Sequence, residues 1–321
     1  MEMDWAHRSG RMIETGSTSA ANGHVRWAPV KSLWLTGMTL VALIAGPILF
    51  SWSAFLVFLI LTAVTLCAGH SVGMHRRFIH NSFDCPLSLE YVVVWLGTLV
   101  GMAGPFGMMR QHDLRDWAQR RQDCHAYLCH RNSILKDGWW QLHCDLTLEH
   151  GPEFQPEERI RNDKVYALME RYWMWQQLPV ALVLFALGGW GFVVWGICAR
   201  VAVSVIGHWL VGWFAHNEGP MRWHVRGAGV QGHDMPIAAL VSMGESWHNN
   251  HHAFPGSAKL GLNADQPDPG WWMILGLQRL GLVWNIRTPD VMPERKALVR
   301  LNEDDGGCPL LKVLLNHMPS R

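Results

Sequence analysis

The sequence predicts an all-α integral membrane protein. Four transmembrane helices pair into two hairpins, and a cytoplasmic helical cap rich in histidine lies beneath them. Three observations carry this. Residues 32–69 contain no charged residue and no His, Asn or Gln, and a second apolar run covers 178–215. Charged residues make up only 17% of the 321, whereas 19 are Trp, a residue that collects where hydrocarbon meets headgroup. The 18 histidines cluster where the apolar runs end and in the segments between and after them.

The first run fixes the first hairpin. Its 38 residues would make a helix of about 57 Å, twice a bilayer core of about 30 Å. It therefore folds back, and the break belongs at "GPILFSWS", where Gly46, Pro47, Ser51 and Ser53 weaken a helix. Spans are expected near 33–50 and 53–70. The second run gives spans near 178–199 and 201–215, with Arg200 in the connecting turn. The apolar stretch 87–109 is interrupted by Glu90 and several glycines, and is expected to be a buried or interfacial helix rather than a fifth span.

Four spans place both termini and the segment 71–177 on one side. That segment is rich in Arg and Lys, including Arg76, Arg77, Arg110, Arg121 and Lys136, so the side is expected to be cytoplasmic. The first 30 residues are polar and lack the apolar core of a cleavable signal peptide. Net charge is +1, which gives no electrostatic case for a nucleic-acid partner. Seven cysteines without a CxxC pair argue against a disulfide framework and a thiolate zinc site.

The histidines carry the chemistry. In "GESWHNNHHAFP" (244–255), His248, His251 and His252 fall at i, i+3 and i+4, one face of a helix. Imidazole suits Fe, Zn, Cu and Ni alike. Just past the second span, "HRRFIH" places His75 and His80 five apart; on a regular helix they diverge, and they converge only if the helix ends or bends. His216 closes the fourth span. Three histidine-bearing segments thus reach one membrane face, where ionisable groups are functional suspects.

These motifs identify the chain as similar to the membrane-bound fatty acid desaturases, especially the acyl-CoA type. "HRRFIH" resembles that family's first box, HxxxxH, and "WHNNHHAFP" its third, HxxHH. His216 resembles the lone histidine ending the fourth span, and "DPGWWMILGLQRLGLVWNIRTP" the helix after the third box. The resemblance covers about residues 33–288. It implies a polar tail at 1–30, a desaturase domain at 31–288 and a C-terminal tail at 289–321. It also implies two iron ions (Fe2+/Fe3+) caged by histidine at the cytosolic face, which use O2 and two electrons to introduce a double bond into an acyl chain. The fatty acyl substrate rides on CoA or a lipid. No flavin, haem or iron–sulfur motif is present, so a separate electron-donor reductase is an expected partner, alongside membrane lipid.

The second box departs from the family's HxxHH. Counting from Gly104-Pro105 places it at "HDLRD" (112–116), where His112 is kept and Arg115 and Asp116 replace the other two histidines. His112 and Asp116 share a helix face, and carboxylate is a legitimate iron ligand. The implied ligand set is therefore His75, His80, His112, Asp116, His216, His248, His251 and His252. His125, His130 and His208 are possible additional ligands, and Glu245 is a carboxylate placed to orient a ligand imidazole. The altered box also admits two other outcomes, a hydroxylase of the same fold and a non-catalytic lipid-binding relative with an incomplete metal site.

Overall fold

A computed structural model describes residues 10–301. Cys308 and the two chain ends expected on the cytoplasmic side lie outside the described residues. The described residues are mostly helical, with three short antiparallel strand pairs among them. One pair joins β1 (Gly23–Trp27) to β2 (Cys144–Leu148), Gly23 opposite Leu148 and Trp27 opposite Cys144. It delivers the chain to α1.

Among the described residues, three helices are long and apolar enough to cross a membrane: α1 (Pro29–Ile48), α2 (Trp52–Ile79) and α3 (Gln177–Asn217). Pro29 opens α1 at a position where its missing N–H costs nothing. The turn to α2 falls at 49–51, close to the expected break, and Ser51 caps α2 by accepting from Ala54 N at 3.1 Å. Leu33, Leu43, Ile48, Leu56, Leu182 and Leu187 are exposed on these helices, the apolar surface a bilayer covers. Inside, Leu184, Ile197 and Val201 pack with Trp34, Val57 and Leu61.

The second hairpin differs from the sequence expectation. Arg200 is not in a turn. It is 1% exposed within a helix that runs on to Asn217, and it donates to Gly196 O at 2.7 Å, Leu99 O at 2.5 Å and Gln177 Oε1 at 2.6 Å. Three acceptors replace the water that a charge in a loop would use. The break in α3 lies instead at Gly188–Gly189, where Gly189 adopts φ 63° and ψ −156°. That region of backbone space is open essentially to glycine alone. The break sits beside the 49–51 turn: a methyl group on Gly191 would lie 3.2 Å from Leu49 O, and Trp195 Nε1 donates to Gly46 O at 3.1 Å.

The 87–109 stretch contains a helix of 12 residues, Leu87–Thr98, about 18 Å long and too short to span. It packs backbone to backbone on α2. A methyl group on Gly69 would meet Leu96 C at 2.4 Å, and one on Gly73 would meet Val93 O at 2.4 Å. Glu90, which interrupts its apolar sequence, is 1% exposed and satisfied by Arg77 at 2.6 Å, Arg159 at 2.7 Å and the Tyr166 hydroxyl at 2.5 Å.

Candidate metal centre

Four elements bring the histidines together. The first is the end of α2, where Thr65–Ile79 winds with π-helical turns. Such turns bond residue i to i+5, so residues five apart stack on one face. His80 N donates to His75 O at 3.0 Å, and the two rings stand 4.7 Å apart. A widened helix, rather than an end between them, aligns HxxxxH.

The second element is the helix Pro105–Gln119, which presents His112 to His80, Nε2 to Nε2 at 3.2 Å. The third is the end of α3, bearing His216. The fourth is a six-residue helix, His248–Ala253, carrying the triplet. Asn249 and Asn250 fasten this short helix. Asn249 N donates to Asp234 Oδ1 at 2.9 Å and Asn249 Nδ2 to Gly232 O at 2.8 Å, while Asn250 Nδ2 donates to Leu260 O at 2.8 Å.

The histidines fall into two groups. In one, His75, His80, His112 and His251 each offer a ligand atom, all within 4.8 Å of one another; in the other, His216, His248 and His252 do the same. His248 Nε2 lies 3.1 Å from His216 Nε2 and 3.0 Å from His252 Nε2. Burial, reinforced by neighbouring histidines, holds His248 and His251 well below the ordinary imidazole pKa, and burial takes His252 to about 4. Neutral imidazoles with nitrogens converging at this spacing need a proton or a cation between them, so the donor set fits a metal. His112 differs. Burial alone would lower its pKa, but the carboxylates of Asp116 and Asp113 hold it above the usual value.

Glu245 supports the first group. Its Oε2 lies 2.5 Å from His75 Nδ1, and its Oε1 accepts from Ser71 Oγ at 2.6 Å. Burial would raise the Glu245 pKa, but His75 and Arg76 hold it far below the carboxylate range. Arg76 also clamps Asp268 at 2.7 Å, and Asp268 caps the helix Pro269–Arg279 through Trp271 N at 2.9 Å. The Arg76–Asp268 tie joins residues 192 apart in the chain. Its one legible trace is the Asp-Pro pair that opens a helix.

Asp116 stands apart from both groups. Its Oδ2 is 4.0 Å from His112 Nδ1, and it lines a small pocket with His251 and His252. Burial would raise its pKa, but His112, His251 and Arg120 keep it ionised. Arg115 turns away from Asp116, to His130 Nε2 and to Gln141 Oε1 at 2.9 Å.

The structure brings none of the three additional candidates into either group. His130 has its Nε2 occupied by Arg115 and its Nδ1 bonded to Asp137 at 2.9 Å. His125 accepts from Tyr127 N at 3.2 Å and stacks on Trp140. His208 meets His70, their rings 4.9 Å apart. Gln119, unremarked in the sequence, contacts His216 Nε2 at 3.0 Å through its amide nitrogen. A cavity of about 220 Å³ opens onto both groups, walled by His112 and His248 together with Trp34, Trp173 and Trp209.

Comparison with known proteins shows relatives over most of the chain. It is 34% identical over 271 residues to the sn-1 stearoyl-lipid 9-desaturase of Anabaena variabilis, covering 83% of this chain and 95% of that protein. It is 33% identical to the sn-1 stearoyl-lipid 9-desaturase of Synechocystis sp., covering 80% and 79%. An acyl-CoA 5-desaturase of Anemone leveillei is 30% identical, covering 82% and 80%. No protein-family profile matches the chain.

Proposed function

The chain belongs to the fatty acid desaturase family, and from that premise we propose that it desaturates a membrane-embedded acyl chain at a two-iron centre. The supporting observation is the pair of histidine groups beside one cavity, drawn from four separate elements. His75, His80, His112 and His251 would hold one iron, and His216, His248 and His252 the other. Asp116, outside both groups but within electrostatic reach of His112, His251 and His252, is the carboxylate that the altered second box would supply as a further ligand. Bound iron would supply O2 activation and removal of two hydrogens from neighbouring carbons, with electrons from a separate donor.

The protein's own part is placement. Glu245 would accept the Nδ1–H of His75 and so aim its other nitrogen inward. The cavity's tryptophans hold the chain and exclude water. The Gly188–Gly189 break supports reading α3, with the turns at 172–176 that lead into it, as two membrane arms and so four spans within a domain at 31–288; the basic 71–177 segment supports a metal centre on the cytoplasmic side. The relatives' names divide the acyl carrier between lipid and coenzyme A.

The test is iron analysis of purified protein with mass spectrometry of the product. Two irons per chain and loss of two hydrogens support the reading. A gain of oxygen would reassign the chain to hydroxylation, and an iron-poor, inactive protein would make it a non-catalytic relative.

A further inference from the structure

Arg115 breaks the second box, and its side chain has a defined destination. It leaves the helix beside Asp116 but points to the cavity wall. One end reaches His130 Nε2 and another donates to Gln141 Oε1 at 2.9 Å. His130 can accept there because its Nδ1 faces Asp137 at 2.9 Å, and the same buried carboxylate oxygen takes the Trp209 indole N–H at 2.9 Å. Gln141 is fixed in turn through Tyr127 O at 2.6 Å. The guanidinium is therefore held in one place from two sides.

Its immediate partners are neutral, and among the described residues it forms no ion pair. A guanidinium has five N–H donors and stays charged in any protein. A fixed cation on the wall of an aromatic cavity is costly when the occupant is bare hydrocarbon, and favourable when the occupant brings an oxygen. Resting on the desaturase reading, we propose that Arg115 binds an oxygen function carried by the acyl chain, a hydroxyl, oxo or carbonyl group within a few carbons of the pair to be oxidised. The same cavity is walled by His112, His216 and His248, so the oxygen and the reacting carbons share one chamber. The preferred substrate is then an oxygenated fatty acyl chain rather than a plain saturated one.

The test is binding, without turnover. Tryptophan fluorescence of the purified full-length protein is titrated with methyl octadecanoate and with its hydroxylated positional isomers, since Trp34, Trp173 and Trp209 line the cavity. The expected result is one isomer, or two adjacent ones, binding about tenfold tighter than the parent ester. Arg115→Leu removes that preference and leaves parent binding within about twofold, while Gln141→Leu, which frees the cation without deleting it, weakens the preference. Equal binding of all isomers, or a preference that survives Arg115→Leu, overturns the proposal. So does loss of parent binding in both variants, which would assign Arg115 to the cavity's shape. Iron content and product analysis judge the desaturase reading separately, so the two can fail independently.

Discussion

Glu245 Oε2 lies 2.5 Å from Nδ1 of His75, joining the loop before the triplet helix to the π-helical end of α2. The contact fixes which ring nitrogen carries the proton and which way the ring faces. Losing such a partner typically costs 10–100-fold in metal affinity. Glu245→Ala is therefore expected to release iron to a chelator at roughly tenfold lower concentration or less, with Glu245→Gln intermediate. Residual iron after graded chelator challenge measures it, and unchanged retention would refute the orienting role.

The two histidine groups share no residue. On the two-iron reading, His80→Ala and His216→Ala are each expected to lose about half of the iron, and the double variant nearly all of it. Elemental analysis decides this. Complete loss from either single variant would mean that the groups assemble as one site.

Gly189 has open space where a side chain would go, so its cost on substitution is purely conformational. Gly189→Ala is expected to destabilise the protein by about 1–3 kcal/mol, read as a lower apparent Tm in detergent. Gly37→Ala, also facing open space but inside regular helix, serves as the control and should be neutral or slightly stabilising.

Asp234 links stability to pH. Burial raises its pKa from 3.8 to about 6, although the backbone N–H groups of Asn249 and Asn250 pull the other way. The folded chain then binds this proton more tightly than the unfolded one. Its contribution is greatest below the unfolded value and is lost as pH rises towards about 6. Against the opposite slope that the buried histidines contribute, the Asp234 contribution to apparent Tm should fall between about pH 4 and pH 6. Asp234→Asn, which keeps an acceptor for Asn249 N, should flatten that slope. An unaltered slope would remove Asp234 as its source.

Much of this architecture was legible because its signals are local. Uncharged runs announce α1 and α2, and the spacing of His248, His251 and His252 announces a shared helix. What escaped depends on contacts made far along the chain. Arg200 looked like a loop residue because its acceptors, Leu99 O and Gln177 Oε1, are 101 and 23 residues away. The Gly188–Gly189 break was hidden inside an apolar run that offered no polar cue. The convergence of His75 and His80 required a helix geometry that periodicity arguments based on α-helical turns do not contain. Nothing near Arg115 in sequence marks His130 and Gln141 as its partners.

The six-residue helix His248–Ala253 gives His251 to one group and His248 and His252 to the other. A single turn of backbone is therefore a common yoke for two sites. On the proposed two-iron reading, twisting it to improve one coordination sphere would spoil the other, and the asparagines that clamp it to Gly232 and Leu260 would set the compromise. The segment would then act as a ruler between the two sites that neither could reset alone.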